Sequence, residues 1–336
     1  MSFNHKGASF ENQYEVYDFP VLTRSDRFLF FKKISKCFRA LKSSGKLEGV
    51  DCIHAHTLFS DGAVAYKVWK ERGIPYIISI RNTDMNTFYR LKPYLKPYAD
   101  KILIGASSII CLAPSYKEQL LSKVATNLRP SIESKIVIVP NGIDPFWFSH
   151  IYVDRPVPEA GCVRLVTAGQ VEKNKNQATV VKACEALIPK GYDVEYHLAG
   201  KVADEEYYSQ FEDKPFVKYH GALDKEQLSD LYRRCDIFVL ASRFETFGLV
   251  YAEALTQGLP IIYSKGQGFD GQFPEGEVGY AVPCYDDEAI TGRILDVVAS
   301  YDKLSANAVR LCHKFETGKV VTTFHNLLSK AVGSAN

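Results

Sequence analysis

Short apolar runs alternate with stretches of helical period along most of this chain. In the first half, the runs at residues 51–56, 76–81, 108–113 and 135–139 predict strands. Helices are expected between them at 61–72 and at 84–105, the latter interrupted by Pro93 and Pro97. A further helix opens at Ser115, where Glu118 three residues on suggests a capping box. The second half repeats the alternation, with strands at 163–168, 194–199, 216–219, 237–240 and 259–263 and a closing helix at 318–333. Such alternation predicts parallel, doubly wound α/β sheets. It breaks once, where Pro140-Asn141-Gly142-Ile143-Asp144-Pro145 is turn chemistry and 154–161 adds two prolines and a glycine. The expected architecture is therefore two Rossmann-like domains, 1–148 and 162–315, facing a cleft. A C-terminal helix in 316–336 packs back across them. In such sheets ligands sit beyond the carboxyl ends of the strands, so the loops there carry the most weight.

Composition narrows the picture only a little. At 336 residues, 46% hydrophobic and 24% charged, the chain has the make-up of an ordinary globular protein. A net charge of +2 gives no reason to expect nucleic acid as a partner. The eight cysteines form no C-x-x-C pair and read as buried free thiols of a reducing compartment, the cytoplasm. The longest apolar stretch, 102–114, is too short to span a bilayer, and the polar opening twenty residues argue against a signal peptide.

The stretch 242–262 carries the sharpest chemistry. Glu245 falls in the loop after a buried strand, and Phe247, Gly248 and Leu249 fall at the start of the next helix. Unpaired N–H groups and a positive dipole make that start an anion site suited to phosphate, and a glycine lets a ligand come close to the backbone. Glu253 lies one turn in, and helical side chains lean toward the N-terminus, so its carboxylate points back to the cleft. An acceptor-only group there suits the paired hydroxyls of a ribose. A cap and a surface ion pair would account for Glu245 but poorly for Glu253, set between Ala252 and Ala254.

These residues resemble the E-x7-E motif of GT-B glycosyltransferases of the retaining family-4 type. The likeness runs from about residue 50 to the C-terminus, through KIVIVPNGIDPFWF, HLAG at 197–200, the block from Val217 to Leu249, and VGYAVPCYDDEAI. It implies transfer of a sugar from a nucleotide-diphosphate donor to a hydroxyl acceptor, glycan or lipid-linked, with retention and without a bound metal or other cofactor. It implies that Glu245 lies by the transferred sugar, that Glu253 grips the ribose, and that the backbone of Phe247, Gly248 and Leu249 meets phosphate and sugar. Two rivals stay open: a nucleotide-sugar epimerase, disfavoured by the Phe-Gly-Leu step, and an inactive nucleotide-sugar-binding subunit.

The chain departs from the family in places. Gly169 and Lys175 match the basic loop that holds the diphosphate, but Gln170 stands where an arginine is usual, costing a charge-assisted contact of roughly 1.5–3 kcal/mol. Lys173 and Lys175 could otherwise form a plain solvated loop. The turn 220–223, with Leu223, resembles the segment lining the base; it could equally be a strand-to-helix turn with Asp224 as cap. The family's opening strand and Gly-rich loop have no counterpart, so the N-terminal domain is expected to be truncated.

In the first half, His54 and His56 alternate on one strand and so share a face, with no third metal ligand evident. His54 is expected in the core and His56 at the cleft. Arg81 replaces a histidine common in the family; it either clamps a phosphate or pairs with Asp84. Residues 28–46 have helical period, with Phe30 or Phe31, Ile34, Phe38 and Leu41 in one stripe. From Arg24 to Glu48 there are eight basic and two acidic residues. The stripe packs on the sheet, and the basic face is open to peripheral contact with an anionic membrane, at its cytoplasmic side.

Overall fold

The computed structural model describes residues 15–333. The outer parts of the expected 1–148 and 316–336 units, and most of the polar opening segment, lie outside these residues. Two all-parallel sheets form. The first holds β1 (Ile53–Ala55), β2 (Tyr76–Ser79), β3 (Ser108–Cys111) and β4 (Ile136–Ile138) in chain order. The second holds β5 (Cys162–Ala168), β6 (Asp193–Ala199), β7 (Val217–Tyr219), β8 (Ile237–Leu240), β9 (Ile261–Ser264) and β10 (Gly279–Val282), in the order β10-β9-β8-β5-β6-β7.

The apolar runs have a direct cause. Parallel strands covered by helices on both faces must be apolar at successive positions, and every residue of β2, β3, β8 and β9 is buried. The strand that sequence did not foretell, β10, lies at an edge; its two central residues are half-buried and it opens on a glycine, so it carries no apolar run.

The first sheet buries Ile78, Ile80, Ile109 and Cys111 against the Phe30–Ser43 and Asp61–Arg72 helices and their neighbours. Phe30 and Ile34 form the inward stripe, while Phe31 is exposed. Its other face, Ile77, Ile110 and Val139, is covered by Leu327 and Ala331 of the closing Thr317–Gly333 helix. The chain crosses between the lobes at two adjacent places. Ile143 N–H donates to the Phe315 carbonyl at 3.0 Å, and the Thr317 hydroxyl donates to the Ile143 carbonyl at 2.7 Å.

Three local expectations are corrected. The helix expected to be capped by Ser115 runs Pro114–Lys123 with Ala113 at its N-cap, because Pro114 takes the first helical position, where its missing N–H costs nothing. Pro97 does not interrupt a helix but lies in the first turn of Lys96–Gly105 for the same reason. The segment before it is a one-turn π-helix at Asp84–Phe88 followed by short turns. All eight cysteines are free; four are buried and four half-buried. No helix among the described residues is long and apolar enough to cross a membrane.

Candidate active site

In the second sheet the strand order reverses between β5 and β8, which are parallel neighbours although β6 and β7 intervene in sequence. Loops leaving such a pair diverge and open a crevice at the strands' carboxyl ends. Lys175 comes from the loop after β5 and Glu245 from the loop after β8. Their side chains meet: Lys175 Nζ lies 2.7 Å from Glu245 Oε2, with both groups mostly shielded from water. Sequence reasoning put each in the site separately but did not find this pairing, because the two lie seventy positions apart. The Ser242 hydroxyl lies 3.5 Å from the same carboxylate oxygen, and Glu245 Oε1 accepts the Thr246 N–H at 3.1 Å.

Asn174 stitches the two loops together and was missed by sequence reasoning. Its carbonyl accepts the Arg243 N–H, its Oδ1 accepts the Phe244 N–H, and its Nδ2 donates to the Phe244 carbonyl. Gly169 follows β5 directly and lies beside the alkyl chain of Lys175. Gln170 is exposed, and its carbonyl accepts from Gln177 Nε2 at 2.9 Å. Lys173 faces away to Asp204, 3.5 Å distant.

The helix after Glu245 runs Leu249–Thr256 with Gly248 as N-cap at φ 77°. A side chain there would be strained and would also meet the Tyr251 ring at 2.4 Å, so only glycine fits this entry. The Phe247 ring is buried against Phe269 and Phe315, which leaves only its backbone to face a ligand. Leu249 is exposed. Glu253 is half-buried, and burial lifts its pKa to about 7 against the pull of Lys225. No ion pair among the described residues involves it: Lys225 bonds Asp144 instead. The buried indole N–H of Trp147 acts on the carboxylate and offsets part of that rise, and it has no other partner among the described residues. Leu223 packs against the same core, and Asp224 caps the Lys225–Arg234 helix in a capping box with Gln227.

In the first lobe, His56 and Arg81 come together: Arg81 Nε lies 3.4 Å from the His56 carbonyl oxygen. Of the two roles left open for Arg81, the ion pair with Asp84 does not form. Asp84 is instead buried, accepting the backbone N–H groups of Leu58, Phe59 and Arg81 at 2.9–3.2 Å. Those bonds lock the loops after β1 and β2, and burial raises the carboxyl's pKa to about 6. The Arg81 side chain is thereby left for other partners. His54 donates or accepts with the Ser79 hydroxyl at 2.8 Å and packs on Phe324. Burial, with His56 and Arg81 nearby, lowers its pKa to about 4. His56 is exposed, with its ring centroid 4.3 Å from that of His54. No third ligand joins them, and among the described residues no group of three or more His, Cys, Asp or Glu is placed to hold a metal.

The sequence and the fold both have relatives among known proteins. Residues 161–310 match the family model described as glycosyl transferases group 1, and residues 2–146 match that of glycosyltransferase family 4. The chain belongs to the GT-B glycosyltransferases of the family-4 type. A phosphatidyl-myo-inositol mannosyltransferase of Mycolicibacterium smegmatis is 25% identical over 64% of this chain, which spans 53% of that relative's length. Among solved structures, this GT-B chain resembles sucrose-phosphate synthase from Thermosynechococcus elongatus, with TM-score 0.67 and 20% identity over 92% of this chain and 80% of that one. It also resembles the Anabaena protein HepE solved with UDP, with TM-score 0.64 and 16% identity over 88% and 81%. At these identities the structures establish the fold.

Proposed function

We propose that this chain transfers a hexose from a nucleotide-diphosphate sugar to a hydroxyl acceptor, with retention and without a bound metal. The observation that carries the proposal is the Lys175–Glu245 pair at the β5–β8 crevice, beside a helix that starts on Gly248 and holds Glu253 one turn in. A diphosphate at the helix start competes with Glu245 for the Lys175 ammonium. The released carboxylate then accepts hydroxyl groups of the sugar, while Lys175 and the helix N–H groups stabilise the departing diphosphate. Glu253 accepts from the ribose, whose hydroxyls repay the desolvation of a half-buried carboxylate. Nothing in the site offers an obvious covalent nucleophile. In this reading the acceptor attacks from the leaving-group side and a donor phosphate oxygen takes its proton. Positioning is then the protein's main contribution.

The acceptor is proposed to be glycan or lipid-linked, in surface polysaccharide or glycoconjugate synthesis at the cytoplasmic face of an anionic membrane. The basic Phe30–Ser43 helix, with exposed Leu29, Phe31, Leu91 and Tyr94 in the same lobe, supports this, as does the lipid-directed name of the mannosyltransferase relative. Gln170 favours the second reading, an inactive nucleotide-sugar-binding subunit, because the charge expected there is missing.

Calorimetry with UDP, GDP and ADP, paired with turnover of the matching glucose donors, tests the proposal. Glu253→Ala is expected to weaken nucleotide binding about tenfold or more, and Glu245→Ala to slow turnover with affinity within about threefold. Undiminished affinity in Glu253→Ala sinks the site assignment. Binding without turnover of any donor selects the inactive subunit.

A further inference from the structure

The loop after β9, residues 265–272, lies over the Glu245 loop, and apart from Phe269 burying the Phe247 ring it has had no part in the site so far. Its approach is unusually close. A Cβ on Gly268 would sit 1.9 Å from the Thr246 carbonyl oxygen, so this crossing excludes any side chain. Both peptide groups of Glu245 end on this loop. The Glu245 N–H donates to Gln267 Oε1 at 3.0 Å, and the Glu245 carbonyl accepts the Gly268 N–H at 3.1 Å.

The loop is itself held from the other lobe. The Ser115 hydroxyl donates to the Gln267 carbonyl at 2.8 Å, and Gln119 Nε2 donates to the Gly266 carbonyl at 2.7 Å. Gln272 Nε2 donates to the Leu112 carbonyl at 2.6 Å in a buried bond, and Pro114 packs where Gly271 leaves room for it. Tyr116, one residue beyond Ser115, reaches the Glu245 carbonyl directly at 3.3 Å. The start of the Pro114–Lys123 helix therefore grips the same loop that grips Glu245. Gln267 is the residue common to both sets of bonds: its carbonyl faces the first lobe and its side chain faces the carboxylate's backbone.

We propose that Gln267 is a positioning residue that ties the placement of Glu245 to the seating of the first lobe on the second. The inference rests on the reading of Glu245 as the acid beside the reacting sugar. A carboxylate serving there must hold its place to within about half an ångström. Its backbone is fixed on both polar groups by one loop, and that loop is fixed by the opposite lobe. Displacing the Ser115 helix shifts Gln267, and Gln267 carries Glu245 with it. The acid is thus set for transfer only when the lobes are seated, while nucleotide binding on Glu253 and the helix start does not depend on this link.

Hydrogen exchange of the Glu245 amide, UDP calorimetry and donor turnover, measured in Gln267→Leu, Ser115→Ala and the double variant of the whole chain, test the proposal. Gln267→Leu keeps the bulk but removes the acceptor. It is expected to speed exchange at Glu245 at least about tenfold and to lower kcat by about ten- to a hundredfold, with the UDP Kd within about threefold. Ser115→Ala, a mild change that leaves the Gln267 side chain intact, is expected to move exchange and kcat the same way by a smaller factor. It is expected to add nothing in the Gln267→Leu background, because both act on one linkage. Unchanged exchange at Glu245, or effects that multiply in the double variant, overturns the proposal. Failure of the wild type to turn over any donor refutes the transferase reading instead, and the exchange arm still decides the coupling.

Discussion

Glu253 shows how burial turns a structural position into a pH-sensitive one. Its pKa of about 7 means that near neutrality a large fraction is protonated and cannot accept from two ribose hydroxyls. In the proposed role, binding a donor favours the carboxylate, so the bound pKa lies below the free one and binding releases a proton. Affinity is then full above about pH 7 and falls below it, by up to about tenfold per pH unit. Calorimetry with UDP-glucose from about pH 5.5 to about 8.5 is expected to show this slope, and Glu253→Gln to flatten it. That Glu253 sits against the interior was legible in the sequence, because a carboxylate set between alanines is out of character for a surface helix. The Lys175–Glu245 pair and the backbone role of Asp84 were not legible, since both depend on which loops the strand order brings together. Ser115 illustrates the converse. Its S-x-x-E spacing fits a capping box, yet the helix begins one residue earlier and the hydroxyl is spent on the opposite lobe.

At the scale of elements, the entry to the Leu249–Thr256 helix is the most constrained point of the site. Gly248 is held at φ 77° over the Tyr251 ring, and Tyr251 cannot swing away because its hydroxyl donates to the Leu240 carbonyl at 2.6 Å in the core. Gly248→Ala is expected to cost about 1–2 kcal/mol from backbone strain alone, and more from the ring contact. Thermal unfolding is expected at a temperature several degrees lower, with weakened UDP binding, because the displaced backbone is the one proposed to face phosphate. Melting curves and calorimetry on the same preparation check both. Helices and central strands were readable because they obey a period. The exceptions, β10 and the π-turn at Asp84–Phe88, lack one: the first is a half-buried edge, and the second is shaped by a buried carboxylate that gathers three N–H groups from two loops.

For the whole molecule, the distribution of exposed apolar groups gives a further test. Phe31 packs edge-on to Tyr98, and Leu91 and Tyr94 lie exposed next to Lys92 and Lys96 in the same lobe. If this region meets a membrane, the protein is expected to bind phosphatidylglycerol vesicles and not phosphatidylcholine vesicles. Rising salt weakens that binding, and Phe31→Ser with Leu91→Ser reduces it several-fold while leaving UDP affinity unchanged. Cosedimentation at two salt concentrations decides it, and equal binding to both lipids removes the membrane from the proposed function.

The covering of Ile77, Ile110 and Val139 by Leu327 and Ala331 also has a consequence for biogenesis. A ribosome delivers those three side chains long before it delivers their cover, because the entire second sheet is translated between Val139 and Thr317. At ~5–20 residues per second the apolar floor of the first sheet stays bare for on the order of ten seconds or more. The nascent chain must wait that long, open to chaperones and to its neighbours on the polysome, before its last helix can shut the first half of the protein.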